Sequence, residues 1–95
     1  MERRKLSEDE INTALAGVSG WAVNDKGELN KKFKFENFAG ALEFVNKVGE
    51  IAEKHDHHPD ILFGWGYAEI SLITHDRNGL TDFDFAVAKE IDGIN

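Results

Sequence analysis

The stretch between Asn37 and Pro59 has the spacing of one long helix. Apolar residues recur at helical intervals from Phe38 through Ala41, Leu42, Val45, Val48 and Ala52, and Phe44, Ile51 and His55 mark a neighbouring stripe. Asn37 is placed to cap the start, because its short side-chain oxygen can accept from the free N–H groups of a first turn. Pro59, the only proline in the chain, disfavours helical geometry at His58 and sets the far limit. The spacing therefore predicts a helix from about Phe38 to about His55. Its apolar arc is wider than a single sheet contact requires. We expect one stripe to cover a sheet and the other to meet a second subunit; the competing expectation is that both are buried within one subunit.

A helix of this kind needs a sheet to cover, and the flanking sequence supplies two pairs of strands. On the N-terminal side, Gly20-Trp21-Ala22-Val23 reads as a short strand and Asn24-Asp25-Lys26-Gly27 as a turn of residues that tolerate positive φ. Residues 29–35 resume extended structure, with Leu29, Lys31, Phe33 and Phe35 on one parity and Asn30, Lys32 and Lys34 on the other, hence one buried and one wet face. On the C-terminal side, residues 61–65 form an extended apolar run that Gly66 breaks. In residues 67–74, Ala68, Ile70, Leu72 and Thr74 share one face, with Tyr67, Glu69, Ser71 and Ile73 on the other. If the pleat continues, His75 leaves on the side of Glu69 and Ser71.

Two shorter helices close the ends. Leu6-Ser7-Glu8-Asp9-Glu10-Ile11 combines a capping box with a hydrophobic staple, and Gly17 is the expected stop. Asp76-Arg77-Asn78-Gly79 is a turn, after which Leu80, Thr81 and Asp84 repeat the same start signal, and Phe83, Ala86, Val87, Ala88 and Ile91 carry the last helix to Gly93. The order α-β-β-α-β-β-α predicts an α+β fold, a four-stranded antiparallel sheet with helices packed on one face.

Residues 1–95 suit a single domain with a modest core. The net charge is −7, and Lys and Arg are scattered apart from Arg3-Arg4-Lys5, so direct binding to nucleic acid is not expected. The absence of cysteine excludes disulfides, thiolate metal sites and cysteine nucleophiles. The N-terminus lacks the apolar run of a signal peptide and no stretch reaches the ~20 apolar residues of a membrane span, so the expected location is the cytoplasm, without membrane contact.

The chemistry concentrates in Glu53-Lys54-His55-Asp56-His57-His58-Pro59-Asp60, which holds three of the four histidines. The chain turns out of the helix there, so His57 and His58, as adjacent extended residues, point in different directions. The negative helix end and the acids Glu53 and Asp56 favour imidazolium, and burial would oppose it. Imidazoles near their reference pKa of ~6.5 suit general acid–base work at neutral pH. Two other readings compete: a zinc-type site from His-x-His-His, whose spacing is not the i, i+4 pair of a rigid helical site, and an exposed cluster without function. His55 lies on the helix stripe and reads as a helix-end residue. Ser7, Ser19 and Ser71 fit no nucleophile-elbow pattern, and no glycine loop would cradle phosphate.

Glu53, Asp56-His57-His58-Pro59-Asp60, Trp65, Thr74-His75, Gly79-Leu80-Thr81 and Asp84 run in register, joined upstream by Gly20-Trp21 and Lys32-Phe33-x-Phe35-x-x-Phe38. In this pattern, over nearly its whole length, the chain resembles the pterin-4a-carbinolamine dehydratases. The resemblance implies dehydration of 4a-hydroxytetrahydrobiopterin to the quinonoid dihydropterin, in recycling the cofactor of aromatic amino acid hydroxylases. It implies His57 and His75 as the acid–base pair, with His58 mainly binding pterin and able to assist. It puts Asp56, His57, His58, Pro59, Ile73, Thr74, His75 and Asp76 around the substrate, with Trp21 as a wall and Glu53 and Asp84 in support. It implies no metal and no cofactor, the pterin being the substrate, and a homo-oligomer, dimer or tetramer, built through sheet pairing and helix packing. Several of these positions have a plainer role as well: Asp84 completes a helix cap with Thr81, Trp21 suits a core, Pro59 shapes the turn, Glu53 ties down the helix end and Trp65 packs. The alternative function is a non-catalytic pterin-binding or protein-interaction module of the same fold, resembling a transcriptional coactivator. The intact His57, His58 and His75 favour the enzyme.

Overall fold

The computed structural model describes residues 4–94; residues 1–3 and 95 lie outside it, and with them Arg3 of the basic opening and the outermost ends of the expected domain. The elements are α1 (Glu8–Leu15), β1 (Ala22–Val23), β2 (Leu29–Lys34), α2 (Phe38–His55), β3 (Asp60–Gly64), β4 (Tyr67–Leu72) and α3 (Asp82–Asp92), with one 3-10 turn at His75–Arg77. Three helices and a four-stranded antiparallel sheet follow one another in the expected order. In space the strands run β1-β2-β4-β3, so β4, last in the chain, is flanked by β2 and β3.

The register explains the sheet's two faces. Leu29 lies opposite Leu72, Phe33 opposite Ala68, and Ile61 and Lys31 both opposite Ile70. Along β4, Ala68, Ile70 and Leu72 are buried while Tyr67, Glu69 and Ser71 are only partly so. Lys31 shares the inward parity without breaking the core: its ammonium sits 4.8 Å from the Phe33 ring centroid and bonds Asp92 at 3.0 Å, a stem buried with its charge at the rim.

All three helices pack on the apolar face. α1 opens on a full capping box, with the Glu10 N–H donating to Ser7 Oγ at 3.2 Å and the Ser7 N–H to Glu10 Oε1 at 2.8 Å. α2 has the bounds its periodicity predicts, and the Gly40 N–H donates to the Asn37 side chain at 2.9 Å. Its buried line differs from the expected stripes. Ala41, Phe44, Val48 and Ala52 face the interior, whereas Phe38 and Leu42 are 46% and 40% exposed. The reason is aromatic: Phe44 sits 4.6 Å from Phe33 and 5.0 Å from Phe35, ring to ring, which turns its side of the helix toward β2.

Candidate active site

The end of α2 decides where the histidines point. Asp56 adopts a left-handed conformation (φ 49°), and two hydrogen bonds close the turn around it, Asp56 N–H to Glu53 O at 3.3 Å and His57 N–H to Ala52 O at 3.1 Å. This is the Schellman ending, usually made by glycine and tolerated by Asp and Asn. The reversal sends the two following imidazoles apart. His57 turns inward and is 5% exposed; His58 stays at the surface, where its Nε2 pairs with Glu53 one helical turn back.

The second half of the site follows β4. The strand stops at Leu72, and Thr74 forms an isolated bridge with Gly79, with Thr74 N–H donating to Gly79 O at 3.0 Å. The enclosed residues form the 3-10 turn, which ends at a left-handed Asn78 (φ 52°) and presents His75 at the surface. The expected continuation of the pleat to His75 therefore does not occur; the small loop sets its direction.

Between these turns lies a cleft of about 420 Å³ lined by Asp56, His57, His58, Ile73, Thr74, His75 and Asp76. Residues from two segments, separated in sequence by β3 and β4, meet there. His57 is backed from inside by Asp84, which is fully buried and lies 2.6 Å from the Nε2 of His57. Asp84 also accepts from Thr81 N–H and from Thr74 Oγ1–H, each at 2.9 Å. The expected cap and the expected support of a histidine are thus one arrangement. Thr81 is the residue that sequence reasoning saw only as a cap. A signal was there, since Thr74 is the single polar side chain closing the buried row of β4 and needs a partner.

Two expected lining residues lie elsewhere. Trp21 does not line the cleft. Its indole is buried in the core, edge-on to Phe33 at 6.0 Å, and its N–H donates to Asp92 at 3.0 Å. A buried indole requires such an acceptor, and β1, which follows it, sits at the opposite edge of the sheet from β3. Pro59 is half-buried in the turn into β3 and does not line the cleft either. His55 bonds Glu90 of α3 at 3.2 Å, in keeping with a helix-end role. Among the described residues no three His, Asp or Glu side chains converge as metal ligands; Nε2 of His57 and of His58 point to different acids.

A larger cavity of about 540 Å³ opens elsewhere, floored by Phe33, Phe35, Phe44 and Ile91. It holds no histidine, and Lys31 and Lys47 at its rim are paired with Asp92 and Glu43. The chemistry favours the smaller cleft, where three imidazoles from two segments converge.

Against known proteins, the family model described as pterin 4 alpha carbinolamine dehydratase matches residues 4–94. The chain belongs to this family. A protein of Rubrobacter xylanophilus named "Putative pterin-4-alpha-carbinolamine dehydratase" is 48% identical over 89 residues, covering 94% of this chain and 83% of that one. One of the same name from Halorhodospira halophila is 42% identical over 90 residues, with the same shares covered. The crystal structure of a transcriptional coactivator/pterin dehydratase from Brucella melitensis superposes with a TM-score of 0.90 at 33% identity, covering 95% of this chain and 97% of that one. A pterin dehydratase-like protein identified as a RuBisCO assembly factor in the alpha-carboxysome is more distant, at a TM-score of 0.67 and 28% identity over 78% of this chain and 87% of that one.

Proposed function

We propose that this chain is a lyase that dehydrates 4a-hydroxytetrahydrobiopterin to the quinonoid dihydropterin, in tetrahydrobiopterin recycling. One observation carries the reading: His57, His58 and His75 share a single cleft in which the most buried, His57, is held by an acid from behind. The reaction breaks the bond from C4a to its hydroxyl. That oxygen takes a proton to leave as water, N5 gives up its hydrogen to a base, and the N5–C4a double bond forms. One imidazole donates and another accepts, so no external acid, oxidant or metal enters the balance. His57 and His75, reaching the cleft from two separate turns, are the acid–base pair. His58, steadied at the rim by Glu53, binds the pterin, with Asp56, Ile73 and Asp76 around it.

The test follows decay of the 4a-hydroxy intermediate by absorbance. Wild type accelerates it, and His57→Ala or His75→Ala lowers the rate by about 10²-fold or more, the scale of general acid–base catalysis. Decay at the buffer-blank rate with wild type refutes the enzyme; unchanged rates in both variants refute the roles.

A second reading, a non-catalytic protein-interaction module, draws on the exposed Phe38 and Leu42 of α2 and on the names of the Brucella and carboxysome neighbours. The same assay separates the two. We also infer a homo-oligomer. Leu62 of the edge strand β3 is 60% exposed and Trp65 beside it 72%, a large apolar surface for a lone domain. Light scattering at the monomer mass of 10.7 kDa would refute it.

A further inference from the structure

The buried threonines behind the cleft form a chain with a direction. The Phe83 N–H donates to Thr81 Oγ1 at 3.3 Å, and Thr81 Oγ1 lies 2.8 Å from Thr74 Oγ1. A threonine has one hydroxyl proton. Thr74 gives its proton to Asp84 Oδ2, so Thr81 must be the donor in the threonine pair. Asp84 Oδ2 accepts a second time, from the Thr81 N–H, at the positive end of α3. The remaining oxygen, Oδ1, faces His57 Nε2 at 2.6 Å in a place closed to solvent. A carboxylate held as acceptor by these donors is an acceptor toward the ring as well. The hydrogen of neutral His57 then sits on Nε2, which leaves the lone pair on Nδ1, and His57 is a lining residue of the cleft.

We propose that Thr81 and Thr74 are positioning residues that act through Asp84 to fix His57 in its Nε2–H tautomer, leaving Nδ1 as the nitrogen that accepts the substrate's proton. This rests on the dehydratase reading of the cleft for its functional half, and on hydrogen-bond geometry alone for its tautomer half. Thr81 lies outside the cleft lining, so its effect reaches the substrate only through this chain.

The test reads tautomer and turnover separately. Long-range proton–nitrogen correlation spectra of ¹⁵N-histidine-labelled protein, read at a pH where the nitrogen shifts themselves report a neutral ring, are expected to show wild-type His57 protonated on Nε2 alone. In Thr81→Val and Thr74→Val the Nδ1–H form appears, and in Thr81→Val, outside the cleft lining, kcat falls about tenfold with KM within about twofold, part of the full general-base contribution. Thr81→Ser and Thr74→Ser keep the hydroxyls and restore both readouts. A purely structural role would lower stability and leave the tautomer as it is. Wild-type His57 protonated on Nδ1 overturns the proposal, and so does a folded Thr81→Val that keeps the Nε2–H form alone. Where the valine variants do not fold, the wild-type tautomer decides. An inactive wild type with the Nε2–H tautomer refutes the dehydratase reading and supports the tautomer assignment; an active wild type with the Nδ1–H tautomer does the reverse.

Discussion

Asp84→Ala strikes the buried network behind the cleft at the group its donors share. The carboxylate is fully buried and serves three donors: the ring of His57, the Thr74 hydroxyl and the Thr81 N–H. Alanine removes the acceptor from all of them. A buried donor without a partner costs about 1–3 kcal/mol. The Thr74 hydroxyl can rotate and the His57 hydrogen can move to the other ring nitrogen, so the sum falls below three full penalties. The Thr81 N–H has no such escape, being a first-turn donor in a buried helix start. The expected loss is about 3–5 kcal/mol, against a total stability of roughly 5–14 kcal/mol for a chain of this length. In melting temperature that is a fall of roughly 12–40 °C. Urea unfolding followed by far-ultraviolet circular dichroism, at one fixed protein concentration, gives the free energy and shows whether the slope is unchanged. Asp82→Ala is the comparator, an acid in the same first turn but exposed, expected to cost about 0.5 kcal/mol. Asp84→Asn keeps one acceptor oxygen and is expected to cost about 1–2 kcal/mol, which keeps the series readable if the alanine variant does not fold. An Asp84→Ala protein within about 1 kcal/mol of wild type refutes the view that this carboxylate satisfies the buried donors.

Trp21→Phe removes the bond to Asp92 and is expected to cost about 1–2 kcal/mol while leaving the KM for pterin within twofold; a tenfold rise in KM would return Trp21 to the substrate site. Gly66 has φ +84°, and the Phe35 carbonyl oxygen lies 3.2 Å from where an added methyl would sit, so Gly66→Ala destabilises by about 1–2 kcal/mol. Gly49 lies in α2 with nothing within 4 Å of that position, and Gly49→Ala stabilises by about 0.5–1 kcal/mol; urea midpoints of opposite sign check the pair. The Arg4 guanidinium, and then the Ser7 N–H, lower the Glu10 carboxyl from 4.5 to about 2. A lowered folded-state value means the interaction stabilises above pH 4.5 and is lost as pH falls toward about 2. The urea-midpoint difference between wild type and Glu10→Gln should be flat above pH 4.5 and shrink below it, more weakly in high salt because both partners are exposed. A difference constant down to pH 2 refutes the coupling.

Local chemistry makes much of this molecule legible in its sequence. Ser7, Asn37 and Thr81 each start a helix through their own side chains, and each finds its partner within four residues along the chain. The parity of β4 is equally local, since a strand alternates its faces by geometry. What escaped depended on partners far along the chain. Phe44 joined the buried line of α2 because Phe33 of β2 and Phe35 just after that strand surround it. Trp21 left the cleft because Asp92, 71 positions on, accepts its N–H. His75 turned with a loop closed by the Thr74–Gly79 bridge, and no pattern within β4 announced where the strand would stop. Asp56 in the left-handed region was hidden for another reason: aspartate takes that conformation only in a minority of positions, so its identity alone does not announce it.

The histidine pair shows how far one backbone angle reaches. His57 and His58 are neighbours of the same type, each paired with a carboxylate, yet one is buried against Asp84 and the other exposed against Glu53. The left-handed Asp56 makes that difference, by ending α2 so that His57 drops toward the start of α3. Asp84 waits there because it already completes the cap of that helix with Thr81. The acid that a buried imidazole needs is therefore supplied by a group that folding itself requires. This couples the two turns of the cleft: α3 cannot lose its cap without loosening His57, and His57 cannot leave without exposing a carboxylate held among donors. The coupling predicts that Thr81 and His57 substitutions are non-additive. In a double-mutant cycle, Thr81→Val combined with His57→Ala should lose less stability than the sum of the two singles, by about 0.5–3 kcal/mol. Strict additivity would mean that Asp84 serves the cap and the imidazole independently, and the shared role argued for it would fail.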